Sequence, residues 1–101
     1  MKDTIFTNSE IAQRIKPVLR SYGVNKAVLF GSYGKGRAVA DSDVDLLVDS
    51  GLKGLRFVGL VESLREALDG KEVDVLDVSH IEPESRVDNE IKETGVVIYA
   101  G

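Results

Sequence analysis

The sequence has no cysteine and no tryptophan, and only one histidine, one methionine and two prolines. Without cysteine there is no disulfide framework and no thiolate zinc site. His80 has no second histidine at ligand spacing, so it reads as a surface loop residue. No apolar run approaches the roughly 18 residues that a membrane helix needs, and no apolar leader opens the chain. Membrane spanning and secretion are therefore not expected, and the cytoplasm is the expected compartment. An excess of positive charge is also missing: 17 acidic against 13 basic residues leave a net charge of −4. Proteins that grip a nucleic-acid backbone usually carry a basic patch, so nucleic acid is not the expected partner. A nucleotide with its metal, another small molecule or a basic protein surface fits better. Repeats, low-complexity tracts and linkers are absent too.

What is present suits one small soluble domain over residues 1–101, with 43% hydrophobic and 30% charged residues. Residues 1–6 read as a loose lead-in. Thr7 and Glu10 form a capping-box pattern, and Ile11, Ile15, Val18, Leu19 and Tyr22 follow at helical spacing up to Gly23. Pro17 falls inside this helix and predicts a kink. Residues 25–30 read as a buried strand, and 43–48 as a second. Between them lies Gly31-Ser32-Tyr33-Gly34-Lys35-Gly36, with a short helix expected over 32–36. Phe57, Leu60, Val61, Leu64 and Leu68 form a helical stripe closed by Gly70. Residues 72–78 read as a third strand. A thin-striped helix with Pro83 in its first turn runs to about Thr94, and residues 96–99 form a last strand, at an edge.

The chemistry concentrates between residues 31 and 46. Side chains alternate along a strand, so Asp43 and Asp45 share one face of the second strand. Two such carboxylates raise each other's pKa, and a multivalent cation relieves the repulsion. Amide groups at a helix start attract anions, which assigns the Gly31-Ser32 turn to phosphates. Lys35 and Arg37 are the nearest cations to it. Asp41 is a turn residue by its pattern, or else a third acidic ligand. Several familiar motifs fail on spacing. The glycines run G-x-x-G-x-G rather than G-x-G-x-x-G, and Gly36 is followed by Arg37 and Ala38 rather than by Lys and Ser or Thr. A calcium loop starting at Asp41 would need Gly and Glu where Leu46 and Leu52 stand.

One family does fit. Gly31-Ser32, then Gly36, then Ser42-Asp43-Val44-Asp45-Leu46 resembles the signature of the DNA polymerase β-like nucleotidyltransferase superfamily, and among its members the minimal nucleotidyltransferases. Gly34 and Lys35 depart mildly from the family's usual Ala and Arg. The resemblance implies an α/β (α+β) fold: a small mixed sheet with helices mainly on one face. It implies that Asp74, central in the third strand, is the third catalytic carboxylate beside Asp43 and Asp45, with Glu72 as runner-up. It also implies ATP as the nucleotide and transfer of AMP to a hydroxyl. The implied partner is a small helical HEPN-type toxin, modified on a tyrosine, for which the chain is the antitoxin.

An all-oxygen ligand set points to Mg²⁺. Carboxylates two apart on a strand, about 7 Å between Cα atoms, can reach two cations spaced for two-metal phosphoryl chemistry. In that scheme Asp43, Asp45 and Asp74 hold two Mg²⁺, and Asp74 takes the acceptor's proton. The alternatives are a non-catalytic antitoxin that acts by occlusion, and transfer to a small molecule or an RNA end. No residues are left for an acceptor domain, so a partner, a second copy or the acceptor itself is expected to complete the site.

Overall fold

The computed structural model describes residues 5–40 and 42–101, so Asp41 lies outside the described residues together with 1–4. The elements run α1 (Asn8–Ser21), β1 (Lys26–Phe30), α2 (Gly31–Gly34), β2 (Val44–Asp49), α3 (Leu55–Ala67), β3 (Val73–Asp77), α4 (Arg86–Thr94) and β4 (Val96–Ala100). One mixed sheet has the order β3-β2-β1-β4. Strand β1 is antiparallel to both of its neighbours, and β2 is parallel to β3. Strand β4 lies at one edge, as expected, with Val96 and Val97 exposed.

Alternation sorts the strands onto two faces. Ala27 and Leu29 of β1, Val44, Leu46 and Val48 of β2, and Val73 of β3 join one buried cluster. Helices α1 and α3 cover that face with Ile11, Ile15 and Leu19 from the first and Leu60 and Leu64 from the second. The opposite face carries Val28, Phe30, Asp45, Leu47, Asp74 and Leu76. Here α4 and the segment before it cover only part of the sheet, with Ile81 and Ile91 around Leu47. The rest of that face stays open, and the carboxylates stand in the open part.

The ends of α1 follow from local chemistry. Thr7 Oγ1 accepts from the Glu10 amide at 3.0 Å, and Glu10 Oε1 accepts from the Thr7 amide at 2.9 Å. Gly23 takes the left-handed conformation (φ +71°) just past the helix. The helix runs through Pro17 without a break in its assignment. Two sequence expectations need correction. Phe6 is not loose: it is 3% exposed, joins the core, and lies 4.8 Å beneath the Arg14 guanidinium. Pro83 lies outside α4, which Ser85 caps by accepting from the Asp88 amide.

At the far end of the sheet from Asp45 and Asp74, Asp77 closes β3. It is 2% exposed and accepts from the Ser50 amide and hydroxyl (3.1 and 2.6 Å) and from the Ser79 amide and hydroxyl (3.0 and 2.6 Å). Burial alone would push its carboxyl up. The four hydrogen bonds, led by the Ser50 hydroxyl, outweigh burial and hold it at about 2. Two parallel strands are thereby pinned at one end. Under the loop before β2, Lys71 is 2% exposed, donates to the Ala40 carbonyl at 3.1 Å, and stands 5.9 Å from the Tyr33 ring centroid. The Tyr33 hydroxyl is buried with no hydrogen-bond partner among the described residues. Those residues also include no helix long and apolar enough to cross a membrane.

Two measurements check this packing. Asp77→Ala leaves four donors without an acceptor and should lower urea-unfolding stability by about 3 kcal/mol at pH 7. Because the folded-state pKa lies below the unfolded one, the charge-dependent part is present above pH 4 and fades as pH falls towards 2. Tyr33→Phe removes an unpaired buried hydroxyl and should leave the melting temperature unchanged or raise it, by up to about 1 kcal/mol in stability.

Candidate active site

Strand register brings the acidic residues together. Asp45 of β2 is the register partner of Asp74 of β3, and also of Phe30 on the antiparallel side. Parallel pairing thus sets two carboxylates side by side, with the end of β1 next to them. Asp43 stands exposed just before β2, on the same alternating face as Asp45. Asp45, Asp74, Phe30, Val75 and Leu76 line a cavity of about 310 Å³, closed on its other side by Val87 and Glu90 of α4. The Asp45 carboxyl is raised to about 6, first by burial and then by the charges of Asp74, Glu90 and Asp43.

The turn after β1 shapes the same rim. Gly31 has φ +69°, and a Cβ there would run into the Asp45 carboxylate. The positive φ calls for glycine, and the missing Cβ leaves room for the Asp45 carboxylate as it stands. The Gly31 amide is already engaged, donating to Thr94 Oγ1 at 3.0 Å. This amends the assignment of phosphates to Gly31 and Ser32 together. The donors left to a ligand are the exposed Ser32 and the later first-turn amides of α2, which have no partner within so short a helix. Gly34 has its own reason to depart from Ala: a Cβ there would meet the Thr94 carbonyl. The side chains of Lys35 and Arg37 are exposed and make no ion pair among the described residues. Their backbone amides close α2, with Lys35 donating to Gly31 and Arg37 to Ser32. The runner-up Glu72 is exposed and lies 3.7 Å from Arg65. His80 is exposed, as its pattern suggested.

Two residues here carry no signal in the sequence. Glu90 is one of several acids on a polar helix, and only the fold turns it towards Asp45. Thr94 looks like an ordinary last helical residue, yet it is buried against the turn. Among the described residues no three carboxylate or imidazole side chains stand close enough to ligate one ion as they are. The donor set still fits a hard divalent cation. It is all oxygen, and the charges of Asp74, Glu90 and Asp43 add to burial in raising the Asp45 carboxyl, a repulsion that a cation would relieve.

Comparison with known proteins agrees with this geometry. The family model described as polymerase beta nucleotidyltransferase matches residues 13–101. A Methanocaldococcus jannaschii protein named for protein adenylyltransferase activity is 43% identical over 77 residues, covering 74% of this chain and 82% of that protein. The protein adenylyltransferase MntA of Thermococcus cleftensis is 44% identical over 63 residues, 60% of this chain and 63% of that one. Among solved structures, a toxin–antitoxin complex with AMP-PNP superposes with a TM-score of 0.74 at 24% identity, covering 89% of this chain and 73% of that one. A complex of tri-AMPylated Shewanella oneidensis HEPN toxin with its MNT antitoxin gives 0.69 at 21% identity, covering 93% and 73%. At such identities the structural matches establish the fold.

The raised Asp45 carboxyl makes a signed prediction. The folded chain holds this proton more tightly than the unfolded one, so metal-free stability should fall as pH rises from about 4 to about 6 and then level off. Asp45→Asn removes the repulsion and should raise the melting temperature at pH 8, by no more than about 2 kcal/mol in stability after solvent screening. Scanning calorimetry in chelator at pH 4, 6 and 8 checks both, and an unchanged melting temperature in the variant would contradict the repulsion. With its acidic rim behind a Gly-Ser turn, on this sheet and under a model spanning all but its first twelve residues, the chain belongs to the polymerase β nucleotidyltransferase family.

Proposed function

We propose that this nucleotidyltransferase moves AMP from ATP to a hydroxyl of a partner protein, a tyrosine of a small helical HEPN-type toxin, and so acts as an antitoxin in the cytoplasm. The observation that carries the reading is the Asp45–Asp74 register pair standing against Gly31. The acceptor class is supported by the relatives, both named as protein adenylyltransferases, and by the AMPylated toxin of the Shewanella complex.

Each residue then has a task. Ser32 and the free first-turn amides of α2 bind the β- and γ-phosphates. Lys35 and Arg37 add positive charge beside the departing pyrophosphate. Asp43, Asp45 and Asp74 would hold two Mg²⁺, which neutralise the triphosphate and acidify the acceptor hydroxyl when bound. Asp74 accepts the hydroxyl proton. The hydroxyl oxygen bonds to the α-phosphorus as the bridging bond to the β-phosphate breaks, and pyrophosphate leaves with that electron pair. The half-open face above β2 and β3 leaves room for the acceptor to approach.

The test is transfer from α-³²P-labelled ATP with Mg²⁺ in a lysate of the source organism. A labelled protein band is expected with the unmodified chain, reduced at least about 1,000-fold with Asp45→Asn. Equal labelling with both chains would overturn the catalytic assignment. A co-purifying protein left unlabelled by both would point instead to neutralisation by occlusion.

A further inference from the structure

Helix α2 is too short to hold its own shape. Four residues amount to a helix nucleus, which is unfavourable in isolation, so its neighbours must impose the conformation. Strand β1 fixes one side through Phe30. Strand β2 adds Asp45 beside Gly31, and Tyr33 anchors the turn in the core. On the α4 side the hydrogen bond and the close backbone approach both come from one residue, Thr94, which is 9% exposed and lies outside every motif read from the sequence.

Thr94 touches α2 at both ends. Its Oγ1 accepts from the Gly31 amide at 3.0 Å, and its backbone carbonyl fills the space that a Cβ on Gly34 would need. The same Oγ1 donates to the Glu90 carbonyl one turn earlier in α4, at 2.8 Å. That second bond selects the side-chain rotamer, so the lone pair facing Gly31 is fixed in direction. Remove the hydroxyl and the Gly31 amide is left buried without an acceptor. The peptide before Ser32 can then turn to find one, and Ser32 and the Asp45 pocket move with it.

We infer that Thr94 is a positioning residue for the phosphate-binding turn: through the Gly31 amide it orients the Gly31–Ser32 peptide while making no contact with the nucleotide itself. The inference rests on the nucleotidyl-transfer reading above. It assigns to the hydroxyl of α4's last residue a part in nucleotide affinity.

The probe is AMP-PNP with Mg²⁺, titrated calorimetrically into the full chain. Thr94→Val keeps the side-chain shape and removes the hydroxyl. It should weaken binding about tenfold, as expected for one lost buried hydrogen bond. Thr94→Ser keeps both hydrogen bonds and should bind within about twofold of the unmodified chain. Hydrogen exchange at the Gly31 amide should be slow in the unmodified and Ser chains and fast in the Val chain. Affinity should follow the hydroxyl and not the melting temperature, which separates positioning from general stability. Equal affinity in the Val and unmodified chains would overturn the role. If the Val chain does not fold, Thr94→Ala is titrated in its place: a tenfold loss supports the role and unmodified affinity overturns it. An unmodified chain that binds no AMP-PNP would overturn the nucleotidyl-transfer reading first, and this inference with it.

Discussion

The parallel register of β2 on β3 is the constraint on which the site depends. It places Asp45 beside Asp74, two like charges in neighbouring strands, where their repulsion opposes folding. A sheet with no function to serve would put residues of opposite charge, or none, at such a pair. The register is held from elsewhere. Val44, Leu46 and Val48 interlock with Val73 on the buried face, and a slip of one residue would expose all of them. At the other end of the same two strands, Asp77 gathers four hydrogen bonds from Ser50 and Ser79. One carboxylate is thus stabilised as an anion at the far end of the strands, and another is destabilised as an anion in the candidate active site. The two shifts run in opposite directions, to about 2 and about 6, and both follow from what surrounds each oxygen.

The second organising feature is the want of side chains around α2. Gly31 leaves space for the Asp45 carboxylate, and Gly34 leaves space for the Thr94 carbonyl. Loop, strand and helix therefore approach one another at backbone distance. Lys71, buried beneath the loop that leads into β2, secures the other side of this crossing through the Ala40 carbonyl. The open face is narrow, with α4 bordering it through Val87 and Glu90.

Much of this was legible in the sequence. Short apolar or alternating runs marked the strands, the Thr7–Glu10 box marked the first helix start, and the spacing from Gly31 to Asp45 marked the family, because each of these signals is local in the chain. What the sequence hid depends on residues far apart in it. Asp77 reads as a strand end until Ser50 and Ser79 are brought to it. Glu90 and Thr94 read as a surface acid and an unremarkable helix end until α4 packs across β1 and α2. Phe6 reads as part of a tail because one aromatic residue outside a periodic run has no pattern to declare its burial. Pro83 suits a helix start by type, but the hydroxyl of Ser85 captures that position. Position by position, composition cannot tell which of 17 acids are surface charges and which are forced together.

The contact between Gly31 and the Asp45 carboxylate has a consequence for substitution. The two positions constrain each other: a side chain at 31 would press on the Asp45 carboxylate, and a longer residue at 45 would reach further into the space that Gly31 leaves. A change at either position is therefore felt at the other, although 14 positions separate them in the chain.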